Sequence, residues 1–196
     1  NKETALASLE LAKKHLHIFA TVGFHPHDAQ DFDAELVKRL AREKKVLAIG
    51  EIGLDFFRNL SPYPVQREVF ANQAHLAVEY DLPVVVHDRQ AHQECYNILK
   101  QEQVKEAVFH CFSGDIVFAQ QVLDAGWMIS FTGSITYPNS HLEDVIRLVP
   151  MDRFMIETDC PYLPPHPHRG KRNSPLLLHL IAEKIAEIKE SFTFYP

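Results

Sequence analysis

Five short apolar runs in this chain each lead into an imidazole or a carboxylate. Phe19 to Phe24 runs into His25, and Val46 to Ile49 into Gly50-Glu51. Pro83 to Val86 runs into His87, Ala107 to Phe109 into His110, and Phe154 to Ile156 into Glu157-Thr158-Asp159. Imidazole suits zinc and other transition metals, while carboxylate also suits magnesium and manganese. Glu51, His87, His110 and Asp159 together therefore read as a metal centre. A carboxylate can bridge two cations, which makes Glu51 the natural bridging group. Two cations about 3.5–4 Å apart would clamp the attacking and leaving oxygens of a phosphodiester. Asp159 would then take the proton of the attacking water. One such residue alone is more often a cap or a salt-bridged side chain. It is the repetition at successive strand ends that carries the metal reading.

Other chemically capable residues read differently. His25-Pro26-His27 has ligand-like spacing, but Pro26 forces His25 out of the helical region. The loop position favours substrate contact over ligation for His25, and solvent exposure for His27. Asp55 reads as a cap of the turn that follows it. His75 and His92 read as structural residues on helices. Cys111 lacks an orienting partner in the sequence and reads as a buried thiol. The dense basic segment His166-Pro167-His168-Arg169-Gly170-Lys171-Arg172-Asn173 lies just past Asp159. Its arginine forks match phosphate oxygens, and Asn173 can add a donor.

These residues need elements to hold them. Helical periodicity is expected over Thr4 to Leu16, with Leu6, Leu9, Leu11 and Leu16 as its apolar set, and over Phe32 to Glu43, with Leu36, Val37 and Leu40 inward. Further helices are expected over Gln66 to Tyr80, Ala91 to Gln101 and Ile116 to Ala125. A short one, capped by Asn139 or Ser140, runs to Val149. A last helix starts with Ser174 as cap and Pro175 in its first turn. Strands are expected at His17 to Gly23, Val46 to Ile49, Pro83 to Val86, Ala107 to Phe109, Trp127 to Phe131 and Arg153 to Ile156. Gly53 is expected to turn the chain sharply after Glu51. Strands alternating with helices imply parallel pairing with helical crossovers, which puts the strand tips on one face.

Composition sets the outer bounds. The chain has 196 residues, 46% of them hydrophobic, enough for one substantial core. A net charge of −6 removes the global basic footprint of an architectural nucleic-acid binder, though not a local one. Three cysteines without a CxxC pair imply no disulfide framework and a reducing, cytoplasmic setting. No run reaches membrane-spanning length.

The motifs together resemble the TatD-related metal-dependent deoxyribonucleases, a branch of the amidohydrolase-like barrels. The resemblance rests on Gly23-Phe24-His25-Pro26-His27, Gly50-Glu51-Ile52-Gly53-Leu54-Asp55, Val86-His87-Asp88-Arg89, His110-Cys111-Phe112-Ser113-Gly114, Glu157-Thr158-Asp159-Cys160-Pro161-Tyr162-Leu163 and Arg169-Gly170-Lys171-Arg172-Asn173. It implies a TIM (β/α)₈ barrel, here with about six of the eight strands. It further implies a hydrolase of phosphodiesters in DNA, often an exonuclease, with two divalent cations (magnesium, manganese or zinc); RNA is the alternative nucleic-acid partner. In that resemblance Glu51 bridges the cations, His87 and His110 bind one, and Asp159 binds the other and positions the water. His25 faces the scissile phosphate, and Arg169 and Arg172 hold neighbouring phosphates. The family's opening H-x-H strand has no counterpart before Gly23, and its closing helix none after Lys189. Residues 1–196 are thus expected to form a single hydrolase domain truncated at both ends, holding one cation rather than two. The competing expectations are a related hydrolase acting on another ester, such as aminoacyl-tRNA, and a non-catalytic remnant.

Overall fold

The computed structural model describes residues 1–189, and the chain forms two compact units, Asn1–Phe109 and His110 onward. The first unit runs α1 (Lys2–Lys14), β1 (Ala20–Val22), a 3₁₀ turn (Pro26–Asp31), α2 (Ala34–Ala41), β2 (Val46–Asp55), α3 (Tyr63–Glu79), β3 (Val84–Arg89), α4 (His92–Gln101) and β4 (Ala107–Phe109). Its strands pair in sequence order, all parallel. The second unit runs α5 (Ile116–Asp124), β5 (Met128–Phe131), a 3₁₀ turn (Gly133–Thr136), α6 (Glu143–Leu148), β6 (Phe154–Ile156), a 3₁₀ turn (Pro175–Leu177) and α7 (Leu178–Lys189), with β5 and β6 parallel. Among the described residues the architecture is α/β with six strands, as the alternation predicts. The helix expected to be missing beyond Lys189 falls outside the described residues.

Local chemistry explains most element starts. Asn1 and Thr4 close a capping box on α1, Asp33 accepts the Leu36 N–H at the head of α2, and Asp115 accepts the Phe118 N–H at the head of α5. Ser174 caps its turn as expected, with Pro175 in the first position. Two expectations fail. The face that α1 buries is Ala5, Leu9 and Ala12, while Leu11 and Leu16 stay exposed. An i, i+4, i+7 stripe of two alanines around Leu9 faces the core, and of the four expected leucines only Leu9 lies on it. The helix before Val149 begins at Glu143 with Leu142 before it and no side-chain cap, so neither Asn139 nor Ser140 starts it.

Each unit buries its own apolar set. In the first, Val22, Phe24, Ile49, Ile52, Leu54, Phe70, Val84, Val86, Leu99 and Phe109 are essentially inaccessible. In the second, Trp127, Ile129, Phe131, Ile146, Val149 and Ile181 are. Each large side chain removed from water contributes about 1.5–3 kcal/mol. Cys95, Cys111 and Cys160 are all free thiols. Among the described residues no helix is long and apolar enough to cross a membrane.

The strands differ most from expectation where they carry chemistry. β2 does not stop at Ile49 and turn at Gly53; it continues to Asp55. Gly53 has φ +146° and lies opposite His87 in register, and a Cβ there would sit 1.9 Å from the His87 carbonyl oxygen. The glycine is needed for close backbone approach rather than for a turn. The register shifts between Ile49 and Ile52, which sets Gly50 and Glu51 apart from the regular ladder.

Candidate metal centre and its supports

In the first unit, α3 fixes the strand tips through two buried glutamines. Gln73 accepts the Phe24 N–H at 2.7 Å and donates to the Phe24 carbonyl at 3.0 Å, pinning the residue before His25. Gln66 accepts the Asp55 N–H at 2.9 Å and donates to the Asp55 and Ser61 carbonyls at 3.2 and 2.7 Å. The two lie two helical turns apart on the buried face of α3.

His25, Glu51 and His87 converge, with one ligand atom of each within 4.8 Å of the others. His87 Nδ1 lies 2.8 Å from Glu51 Oε1, and its Nε2 lies 3.3 Å from Asp55 Oδ2. His27 is not the solvent-exposed residue expected: its Nε2 sits 2.7 Å from the same Asp55 oxygen. Asp55 has no solvent exposure, and its other oxygen takes the Phe57 and Arg58 N–H groups at 3.0 and 2.8 Å. It does cap the turn as expected, but it also buttresses two histidines. Burial opposes its ionisation, yet the Arg58 N–H, His27 and His87 outweigh burial and hold its pKa below the usual range.

His25 is distinct from its neighbours. Burial above all, and then the nearby His87, pull its pKa from the ordinary 6.5 to about 3, so the ring is neutral. Its Nδ1 accepts the His27 N–H at 3.1 Å. A neutral imidazole that accepts at Nδ1 carries its proton on Nε2. That N–H lies 3.8 Å from Glu51 Oε1. His25 therefore turns an N–H toward Glu51 from within the converging trio.

The donor set fits a cation. His87 faces a carboxylate oxygen at each ring nitrogen. With the Nε2 proton given to Asp55, the Nδ1 lone pair and the Glu51 oxygen meet at 2.8 Å. Two such electron pairs sit together favourably only with a proton or a metal ion between them. A buried carboxylate holding the far nitrogen of a ligating histidine is the usual support of a metal site.

The second unit holds the other expected residues. His110 Nδ1 lies 3.0 and 3.2 Å from the two oxygens of Glu157. Glu157 also accepts the Cys111 N–H at 2.8 Å and a short hydrogen bond from the Ser130 hydroxyl. Burial raises its pKa, but His110, Ser130 and the Cys111 N–H prevail and keep it ionised below the ordinary range. With Nδ1 on Glu157, any ligation by His110 goes through Nε2. Asp159 is half-buried, with φ +50°, and its carbonyl takes the Tyr162 N–H. Cys111 is half-buried rather than buried as expected, and desolvation pushes its thiol pKa up, which disfavours the reactive thiolate. Arg169 lies 4.5 Å over the Tyr137 ring, and Arg172 is exposed. Asn173 is not a phosphate donor as expected, because it is buried and its amide donates to the Thr158 and Tyr162 carbonyls, both at 2.6 Å.

Sequence reasoning missed Gln66, Gln73, Glu157 and the wider role of Asp55. Polar residues on the buried stripe of α3 were a signal for the glutamines. The i, i+2, i+4 spacing of Glu51, Gly53 and Asp55 was a signal for Asp55, once β2 is known to extend that far.

Parallel α/β units with carboxylates and imidazoles at their strand ends define a metal-dependent hydrolase. Comparison with known proteins gives the lineage. A family model described as TatD related DNase matches residues 1–193. The chain is 40% identical to "Uncharacterized metal-dependent hydrolase YabD" of Bacillus subtilis (strain 168), over 97% of this chain and 77% of that protein. It is 38% identical to "3'-5' ssDNA/RNA exonuclease TatD" of Erwinia amylovora (strain ATCC 49946 / CCPPB 0273 / Ea273 / 27-3), over 93% of this chain and 75% of that one. Among solved structures, YJJV, a TatD homolog from Escherichia coli K12, superposes with a TM-score of 0.90 at 31% identity, over 95% of this chain and 75% of that chain. The chain belongs to the TatD family of metal-dependent hydrolases.

Proposed function

We propose that this chain hydrolyses phosphodiester bonds in DNA, shortening single strands from an end, with RNA as a further substrate. The observation that carries this reading is the meeting of Glu51 and His87 at 2.8 Å beside the buried Asp55. The kinship with a relative named as an exonuclease on single-stranded DNA and RNA supports the substrate class. Glu51 and His87 in the first unit, and His110 and Asp159 in the second, are the residues that would hold divalent cations, one of them tightly. When bound, such cations polarise a phosphoryl oxygen and acidify water. Asp159 accepts the proton of the attacking water and orients it. His25, neutral and carrying its proton on Nε2, donates to a phosphate oxygen. Arg169 and Arg172 pair with neighbouring phosphates.

The test is an end-labelled single strand incubated with magnesium, manganese or zinc, beside a chelator control and a panel of esters that includes aminoacyl-tRNA. Cation-dependent shortening one nucleotide at a time is the expected result. Intact strands with every cation, alongside hydrolysis of an ester, would overturn the nuclease reading.

A further inference from the structure

The ends of β2 and β3 carry a pairing that the chemistry above does not use. Phe57, two residues past Asp55, exposes 56% of its surface, and the Arg89 guanidinium lies 4.2 Å over its ring. Asp55 and Arg89 are partners in the strand register, and the Phe56 N–H binds the Arg89 carbonyl at 3.0 Å, so backbone pairing holds the two side chains together. The neighbouring Phe56 shows what a packing aromatic looks like here. It is half-buried, 4.6 Å from the Tyr63 ring, with Arg67 over it and Arg67 tied to Glu94. Phe57 instead faces water, beside exposed Arg58 and Arg89. Its own N–H is bonded to Asp55, whose carboxylate is 3.3 Å from His87, so the ring stands at the edge of the candidate metal centre.

We propose that Phe57 and Arg89 form a stacking platform for an unpaired nucleobase next to the scissile phosphate. This rests on the nucleic-acid reading above and narrows it to strands whose bases are free to splay. Every base has a π face, and an exposed ring with an arginine on it accepts one without regard to sequence. Arg58 and Arg89 supply positive charge for the backbone on a chain whose net charge is −6. A paired base in a duplex cannot reach such a platform without unstacking, so the platform favours single strands.

The test compares binding of two cleavage-resistant phosphorothioate strands, one intact and one with abasic residues near the bound end, by fluorescence anisotropy with magnesium present. The unmodified protein should bind the intact strand about tenfold more tightly, the usual scale for one stacked base. Phe57→Ala should lose that preference while still binding the abasic strand, and Phe57→Trp should keep it. Equal binding of both strands by the unmodified protein, or an undiminished preference in Phe57→Ala, would overturn the platform and leave the nuclease reading standing. Failure to bind either strand would overturn both.

Discussion

In the first unit His87 leans on Asp55, a carboxylate with no solvent exposure that also takes a second histidine and two backbone N–H groups. In the second unit His110 leans on Glu157, whose side chain stays 27% exposed and takes one N–H and one hydroxyl. The first support is on the same strand as the proposed ligand Glu51, and Gln66 clamps its backbone from α3. The second is tied through Ser130 to the neighbouring strand β5 and has solvent beside it. The difference teaches how a charge is kept in a dry place. Asp55 is tolerable only because nearly every lone pair is matched, so removing any partner should be costly. Glu157 can lose a partner to water.

Substitutions can break or sharpen that contrast. The largest effect is expected for Glu51→Gln, because a neutral amide is a poor bridging ligand. Metal content by elemental analysis should fall, and DNA hydrolysis should drop by at least about a hundredfold, the upper range even for residues that only support ligands. Retained activity would remove Glu51 from the centre. Next, Asp55→Asn should lower metal affinity by about 10- to 100-fold and folding stability by roughly 2–3 kcal/mol. Glu157→Gln, read by the same metal titration and urea denaturation, should cost only about 1 kcal/mol of stability, since water can replace what is lost. Equal losses would mean that burial is not what separates the two supports. Gln73→Leu should then cost roughly 2 kcal/mol, because the Phe24 N–H and carbonyl lose their partner in an apolar setting. Urea denaturation measures it, and an unchanged midpoint would mean the clamp is redundant.

The sequence disclosed the alternation of strands and helices because apolar runs and turn residues are local signals. It disclosed Glu51 and His87 as partners because each closes or follows such a run, but it set His25 apart as a substrate contact, whereas the structure brings it beside both. It could not show that Asp55 faces His27 and His87, since that depends on β2 running on past an irregular register at Gly50 and Glu51. Nor could it show the glutamine clamps. Gln66 and Gln73 look like surface residues of a helix until the helix's buried face is known to meet strand tips with unmatched backbone groups. Glu157 was hidden by its neighbour: Asp159 has the same chemistry two residues on, and only the side-chain directions tell them apart. His27 was misjudged for a related reason, since its partner is 28 residues away in sequence.

The sharpest separator of the two regions comes from His25 in metal-free protein kept with a chelator. Its folded pKa of about 3 lies below the ordinary 6.5, so the unfolded chain binds a proton that the folded chain refuses. The stability this group contributes is therefore complete above pH 6.5 and is lost as pH falls toward 3, by at most about 1.4 kcal/mol per pH unit. Asp55 and Glu157 behave otherwise. Their folded pKa values lie below their ordinary 3.8 and 4.5, so their contributions hold above those values and disappear only in stronger acid. Between pH 6.5 and 4.5 the loss should thus originate at His25 and not at either carboxylate. Any protonation there lands on Nδ1 and removes the acceptor of the His27 N–H, whereas the Cys111 N–H keeps its bond to Glu157. Hydrogen exchange at pH 7 and pH 5, corrected for intrinsic rates, should show a larger loss of protection at the His27 amide than at Cys111 at the acid end. If the two amides lost protection together, the unfolding would be global and the local account of His25 would fail.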